Sequence, residues 1–548
     1  MSTIIGISFG NTSSSIAVAD NEGKVEVIAN PDGDRSIPSV LSYIGEDEYH
    51  GQQARAQLIR NSDNTIINFR DFIGKQFEEV NGELTKDGSK VVKTEDGKCG
   101  FKVKIDDKEE ILSIGEVTKR HLKQLKLAAE DYIGKVVEGC VITVPTDFND
   151  AQRQELTNLS NEIGLKVHQL INEPSAALLS YLTNNEEEYL KDQIFAVADF
   201  GGVRTDGAIV SVRGGIMTIL TTLHDHSLGG DSFDSSLMEF FAKDFEKKFK
   251  VDPRKNKRSL AKLKNEAITV KKTLSNVQTS SVSIESLAEG FDYQSSINRL
   301  RYELTIRSTL AKTTSFVEKL IEKAKLLPSE INKVLLVGGS SNTPKLSSEL
   351  SSIFPPSTEI ISPALDSKAL LPNELVCRGA ALQAALIESF DEDEVKESLQ
   401  PIVVNTQHLV NSIGIKSSEG KFIPILVNET AYPIKKSIEV TNGSSESVSI
   451  EFYEGKKIVK ETILEPVKQV YSDGEEFSDD SDEEEEPEII KEAVEECGTL
   501  LGSLSLKDLK PDSKLEIIIN ITQDGKLHLS SRELKIGSVA TKVELSFK

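Results

Sequence analysis

Gly6-Ile7-Ser8-Phe9-Gly10-Asn11-Thr12-Ser13-Ser14 opens the chain, between the apolar runs Ile4-Ile5 and Ile16-Ala17-Val18-Ala19. Strand-forming residues on either side of a Gly-Asn-Thr turn predict two strands folded back on each other. Small residues let such a turn come close to a ligand, its N–H groups converge on an anion, and its hydroxyls add donors. Alone, the loop reads as an ordinary turn. The pattern returns at Asp199-Phe200-Gly201-Gly202-Val203-Arg204-Thr205-Asp206, after Ile194-Phe195-Ala196-Val197-Ala198 and before Ala208-Ile209-Val210-Ser211-Val212. Gly229-Gly230-Asp231 and Gly338-Gly339-Ser340-Ser341 add two more glycine loops, each beside a strand or helix start. One bound nucleotide accounts for all four. The repeated hairpin predicts a duplicated α/β architecture of two lobes with a cleft between them, and helix N-termini beside such loops favour anions.

Helical stretches separate the strands. Glu116 to Ile133 sets Val117, Leu122, Leu125, Ala129 and Tyr132 along one face. Asp150 to Ile163 begins with acids and has Gly164 just beyond its end. Pro174 suits a first helical turn. Val334-Leu335-Leu336-Val337 is an apolar run closed by Gly338, a buried strand leading to a helix near Leu346.

The pattern changes near residue 390. Residues 1–390 read as the nucleotide-binding domain, 391–404 as a linker and 405–548 as a small β domain. In the last part alternation replaces helical spacing: Val448, Ile450, Phe452; Ile517, Ile519, Ile521; Val543, Leu545, Phe547. Asp524-Gly525 between two alternating runs predicts a two-residue hairpin. The insert 472–488 holds eleven acids and no base. It is expected to be disordered and reads as a solvated loop without function before it reads as a docking tail or as a site of phosphorylation at Ser478 and Ser481, each followed by acids.

The 548 residues carry a net charge of −24, which falls to −13 once those eleven acids are set aside. That balance argues against direct binding to nucleic acid, which needs a basic surface. The basic run Arg254-Lys255-Asn256-Lys257-Arg258 reads as a solvated helix face before it reads as an RNA contact. No apolar run reaches membrane-spanning length and the start lacks a basic leader. Cys99, Cys140, Cys377 and Cys497 have no metal spacing, so reduced thiols in a cytosolic protein are expected. His121, His168, His224 and His226 show no ligand spacing and receive no metal role.

A resemblance runs through these motifs in order. Gly6-Ile7 to Thr12, Ile142-Thr143-Val144-Pro145 with Phe148-Asn149-Asp150, Asn172-Glu173-Pro174 with Ala176-Ala177, and Leu228-Gly229-Gly230-Asp231 with Phe233-Asp234 resemble the seventy-kilodalton heat-shock, DnaK-like chaperones. Ser286-Leu287 with Glu289-Gly290, Leu336 to Ser340, and Pro372-Asn373-Glu374 with Gly379-Ala380-Ala381 continue the match. It implies an actin-like nucleotide-binding domain followed by a lidless β-sandwich. It also implies ATP held by Gly10, Asn11, Thr12, Gly201, Gly202, Val203, Arg204, Gly229, Gly230, Lys271, Ser275, Gly338, Gly339, Ser340 and Asn373. Glu173, Asp199 and Asp206 match family residues and stand, with Arg70, as remnants of a catalytic set.

The departures bear on hydrolysis. Ser8 stands where the family has an Asp that organises Mg²⁺, and a hydroxyl cannot supply that charge. Arg70 replaces a Lys proposed as catalytic in the family. Pairing with phosphate is its favoured role here. Val203 brings a β-branched side chain where backbone would approach phosphate. Ile268 aligns with a sugar-contacting Glu. The linker segment Ser398 to Val404 lacks the family's acidic–leucine run, and the helical lid is missing. Mg²⁺ as a companion of the nucleotide is therefore left open.

These features are similar to one fungal branch of the family, the atypical member of the ribosome-associated complex. That likeness implies a stable heterodimer with a J-domain protein of the zuotin kind. It further implies ribosome attachment through that partner, help to a ribosome-bound chaperone of the same family, a cytoplasmic location and no membrane contact. An active peptide-binding chaperone and a sugar kinase are the competing readings.

Overall fold

The computed structural model describes residues 3–20, 23–80, 82–189, 191–366, 368–389, 407–464, 488–535 and 538–546. The chain divides into two compact units, with the main break at Val404/Asn405. The expected linker 391–404 lies outside the described residues.

The first unit repeats one topology twice. In the first lobe the strands Ile4–Phe9, Ser13–Ala19 and Val25–Ile28 form an antiparallel meander. Gly139–Val144 then runs parallel to Ile4–Phe9, and Lys166–Asn172 parallel to Gly139–Val144. In the second lobe Gln193–Phe200, Thr205–Arg213 and Ile216–Asp225 form the meander, followed by Lys333–Val337 and Glu359–Ile361 in parallel. The spatial order is the same in both, as the two similar hairpins predicted. Central strands buried on both faces read as continuous apolar runs: Gly139–Val144 is buried at every position.

Local sequence sets the helices. Ile114–Ile133 begins at Ser113, whose hydroxyl accepts the Glu116 N–H. Its core side carries Val117, His121, Leu122, Leu125 and Ala129. Tyr132, expected on the same face, is 42% exposed in the final turn. Asp150–Glu162 has a reciprocal cap in which Asn149 accepts from the Gln152 N–H and Gln152 accepts from the Asn149 N–H. Pro174 sits in the first turn of Glu173–Thr183. Gly338 ends its strand at φ 84°, a conformation that favours glycine, and the helix beyond is Pro344–Ser351. The helices Glu173–Thr183 and Leu375–Glu388 cross closely. A Cβ on Gly379 would stand 1.8 Å from the Ala176 carbonyl oxygen, and one on Gly6 would stand 2.2 Å from the Ala381 nitrogen.

The second unit holds two four-stranded antiparallel sheets. One contains Phe422–Leu426, Ile413–Lys416, Val448–Leu464 and Glu488–Leu506; the other contains Ile434–Thr441, Lys514–Ile521, Lys526–Glu533 and Thr541–Ser546. Both contribute to one apolar core, with Ile413, Phe452, Leu504, Ile517, Ile519 and Ile521 buried. The alternation seen in sequence thus marks the buried face; Phe547 lies outside the described residues. The turn at Asp524-Gly525 is longer than expected. The Gly525 N–H donates to the Thr522 carbonyl, the Thr522 N–H donates to the Lys526 carbonyl, and Gly525 has φ 76°. This is a three-residue loop with glycine in the left-handed position, not a two-residue turn. Residues 472–487 of the acidic insert, with Ser478 and Ser481, lie outside the described residues, whereas Glu488 starts a strand.

Gly379→Ala should force the two crossing helices apart. A loss of about 3 kcal/mol is expected, at the upper end for overpacking a core. Urea unfolding of the variant beside the parent measures it.

Candidate functional site

Among the described residues a cleft of about 1580 Å³ lies between the two lobes of the first unit. It is lined by Gly10, Asn11 and Thr12 from the first loop, Gly201 to Arg204 from the second, Gly230 from the third and Gly338 to Ser340 from the fourth. Lys271, Ser275, Asn373, Ser8 and Ile268 line it too. Gly229 packs behind the wall, where a Cβ would lie 2.7 Å from the Gly202 carbonyl oxygen.

The loops are tied into one another. The Gly230 and Asp231 N–H groups donate to the carbonyls of Gly201 (2.9 Å) and Gly202 (2.7 Å), and the Ser340 hydroxyl donates to Gly201 (2.9 Å). A Cβ on Gly202 would fall 2.4 Å from the Thr12 side chain across the cleft. Lys271 donates to the Gly230 carbonyl (3.0 Å) and to Asp234 (2.8 Å). Glycine is required here for closeness of approach. The helix Gly230–Phe249 aims its N-terminus at this wall.

The charged floor of the cleft differs from what the sequence suggested. Arg70 and Arg204 are 4% and 5% exposed. Arg70 donates to Glu173 (2.9 Å), to Asp71 (2.9 Å) and to the Phe9 carbonyl (3.1 Å). Its partners here are carboxylates of the protein itself, where phosphate was the favoured partner on sequence grounds. Arg204 grips Asp206 with two nitrogens (2.6 and 2.5 Å), and reaches Asp71 and Asp147, each at 2.9 Å. Asp71 spans the two arginines, one oxygen on each. A guanidinium offers a fixed fork of donors, so each arginine satisfies several acids at once.

Asp71, Asp147, His224 and His226 were missed by sequence reasoning. Asp71 follows Arg70 directly, and that adjacency was the only sequence signal. His224 sits 2.6 Å from Asp206 and His226 3.1 Å from Asp147, so both histidines join the site through carboxylates. The ligand atoms of Asp147, Asp206 and His224 lie close enough together for a metal ion, but Arg204 already places its charge between the two acids.

These contacts set the proton affinities. Burial would raise Asp71, but Arg70, His226 and Arg204 outweigh it and hold it well below the ordinary carboxylate value. Burial likewise opposes ionisation of Asp206, and Arg204 and His224 overcome it, leaving the pKa lowered. Asp199 has no cation within ion-pair distance among the described residues. Burial first, and then Glu173 and Asp206 beside it, raise its pKa well above the usual range. The Asp147 and Asp71 carboxylates push His226 up to about 9.

The basic run expected on a solvated face is partly neutralised: Arg254 pairs with Asp252, Glu239 and Glu246. Cys99, Cys140 and Cys377 are buried free thiols, Cys497 is half-buried and free, and no described helix is long and apolar enough to cross a membrane.

Compared with known families, residues 4–464 match the one described as Hsp70 protein. The chain belongs to the Hsp70 family. This Hsp70 chain is 49% identical to the ribosome-associated complex subunit SSZ1 of Saccharomyces cerevisiae, over 99% of its own length and all of the relative's. It is 45% identical to a heat shock protein 70 homolog of Schizosaccharomyces pombe, over 97% of this chain and 93% of the relative. A heat shock 70 kDa protein of Neurospora crassa is 31% identical over 83% of this chain and 69% of its own. Family membership removes the sugar-kinase reading.

Arg204→Ala would take the guanidinium from one oxygen of Asp71 and from both of Asp206, leaving these buried acids to Arg70 and His224. A loss of about 3–5 kcal/mol is expected, read by denaturant unfolding. A second expectation concerns pH. The folded pKa of His226 is raised, so its contribution is complete below the unfolded value, about 6.5, and disappears as pH climbs through about 9. The melting-temperature difference between the parent and His226→Gln should therefore shrink over that window; a difference constant from pH 6 to 9.5 contradicts it.

Proposed function

We propose that this Hsp70 chain is an ATP-holding subunit with little or no hydrolysis of its own. On this reading it forms a stable heterodimer with a J-domain protein of the zuotin kind. Through that partner it sits on the cytoplasmic ribosome and supports a ribosome-bound chaperone of its own family as new chains emerge. The partner assignment draws on the likeness to a protein named as a ribosome-associated complex subunit.

The observation that carries the nucleotide part is a mismatch between the two halves of the cleft. The walls suit a triphosphate: tied glycine loops, the Lys271 ammonium with one N–H beyond those given to Gly230 and Asp234, and the buried Asn11 amide, whose Nδ2 has no partner. The floor does not suit a hydrolytic centre. Ser8 offers a hydroxyl, Asp206 is engaged by Arg204 and His224, and Glu173 by Arg70. A Mg²⁺ shell needs ionised oxygen ligands, and Asp199, the carboxylate left without a cation, holds its proton more tightly than an ordinary acid. The donor set thus fits the nucleotide and fits the metal poorly, so no reaction step is drawn through a metal.

Two measurements on the full chain test this. Calorimetry should show ATP binding in the micromolar range or tighter, with little change on adding EDTA. Single-turnover mixing with radiolabelled ATP should leave the nucleotide uncleaved over hours. Cleavage at the rate of an ordinary Hsp70 would overturn the reading.

A further inference from the structure

A file of buried polar groups joins the core of the first lobe to the first glycine loop. His121, on Ile114–Ile133, is 2% exposed. Its ring lies 5.6 Å from that of Phe9 and 5.7 Å from that of Phe69. Its Nε2 is 3.0 Å from the Ser14 hydroxyl, and Ser14 is 2.9 Å from the Ser39 hydroxyl. Ser39 then donates to the Gly10 carbonyl at 2.8 Å, and its backbone N–H donates to the Thr12 carbonyl at 3.1 Å. None of the three side-chain members lines the cleft.

The direction of the file follows from its far end. A carbonyl only accepts, so Ser39 gives its one hydroxyl proton to Gly10. Ser39 must then accept from Ser14, and Ser14, its own proton committed, must accept from His121. The imidazole is therefore the neutral tautomer with its proton on Nε2. Nδ1 agrees, because it is buried with no hydrogen-bond partner, and a bare lone pair there costs less than an unmatched N–H. Burial also keeps the ring neutral, holding its pKa down to about 3.

Two further oxygens of the loop are held as well: Arg70 takes the Phe9 carbonyl, and the Asp71 N–H donates to the Asn11 side chain. With the carbonyls of residues 9, 10 and 12 all tied back into protein, the loop's donors are what remain for an anion in the cleft.

We propose that His121, Ser14 and Ser39 are positioning residues for the nucleotide, a relay that turns the Gly10 carbonyl away from the phosphates without touching them. This rests on the nucleotide-binding reading given above. Three full-length variants test it: Ser39→Ala, Ser14→Ala and, as a control on the same helix, Leu125→Ala. Calorimetric ATP affinity and melting temperature are measured for each, with ¹⁵N spectra of His121 in the parent. Ser39→Ala should lose about tenfold in affinity, the worth of one buried hydrogen bond, and Ser14→Ala should lose less. Leu125→Ala should melt earlier yet bind ATP as the parent does. The spectrum should show the Nε2-protonated neutral ring at every pH at which the chain is folded. Parent-like affinity in Ser39→Ala, or a ring protonated on Nδ1, overturns the relay while leaving the nucleotide reading intact. A parent chain that does not bind ATP overturns both. If Ser39→Ala fails to fold, Ser14→Ala and the tautomer still decide the matter.

Discussion

Asp71 is one carboxylate shared by two arginines, and the middle of the first unit depends on it. Its oxygens meet Arg70 of the first lobe and Arg204 of the second. Charge taken out of water is costly unless it is paired and hydrogen-bonded. Here each guanidinium is surrounded by acids and each acid other than Asp199 meets a cation. The network therefore does two things: it makes burial of this much charge tolerable, and it joins the lobes at the base of the cleft. Such networks favour one arrangement strongly, because any member left alone destabilises the rest.

The same pairing limits the chemistry. A carboxylate that positions water or a metal must have free lone pairs facing the ligand. Glu173 and Asp206 line the cleft but are engaged by arginines, and Ser8 carries no charge. Gly230, Lys271 and Gly338 to Ser340 of the walls lie on other elements than this floor, held by glycine contacts and hydrogen bonds, while Arg204 belongs to both. On the proposed reading, binding and hydrolysis draw on different groups of the cleft, and this chain keeps the first.

Much of the architecture was legible in sequence because its signals are local. Two matching hairpins announced the duplicated sheets, Pro174 and Gly164 marked helix ends, and alternation marked the strands of the second unit. The misreadings were local geometry decided at a distance. Tyr132 has the right period but stands in a last turn that leaves it exposed, and the turn at Asp524-Gly525 was set by the strand register on either side of it.

By itself, the sequence determined the fold family and the order of the glycine loops, since these are properties of residue type and spacing; the reading of Ser8 came from the resemblance. Only the tertiary structure decided what the charged residues do. Arg70 and Arg204 stand 134 positions apart, and nothing local says that one aspartate will claim both. The partner of a buried charge is whichever opposite charge the packing brings within about 3 Å. That choice belongs to the folded chain as a whole.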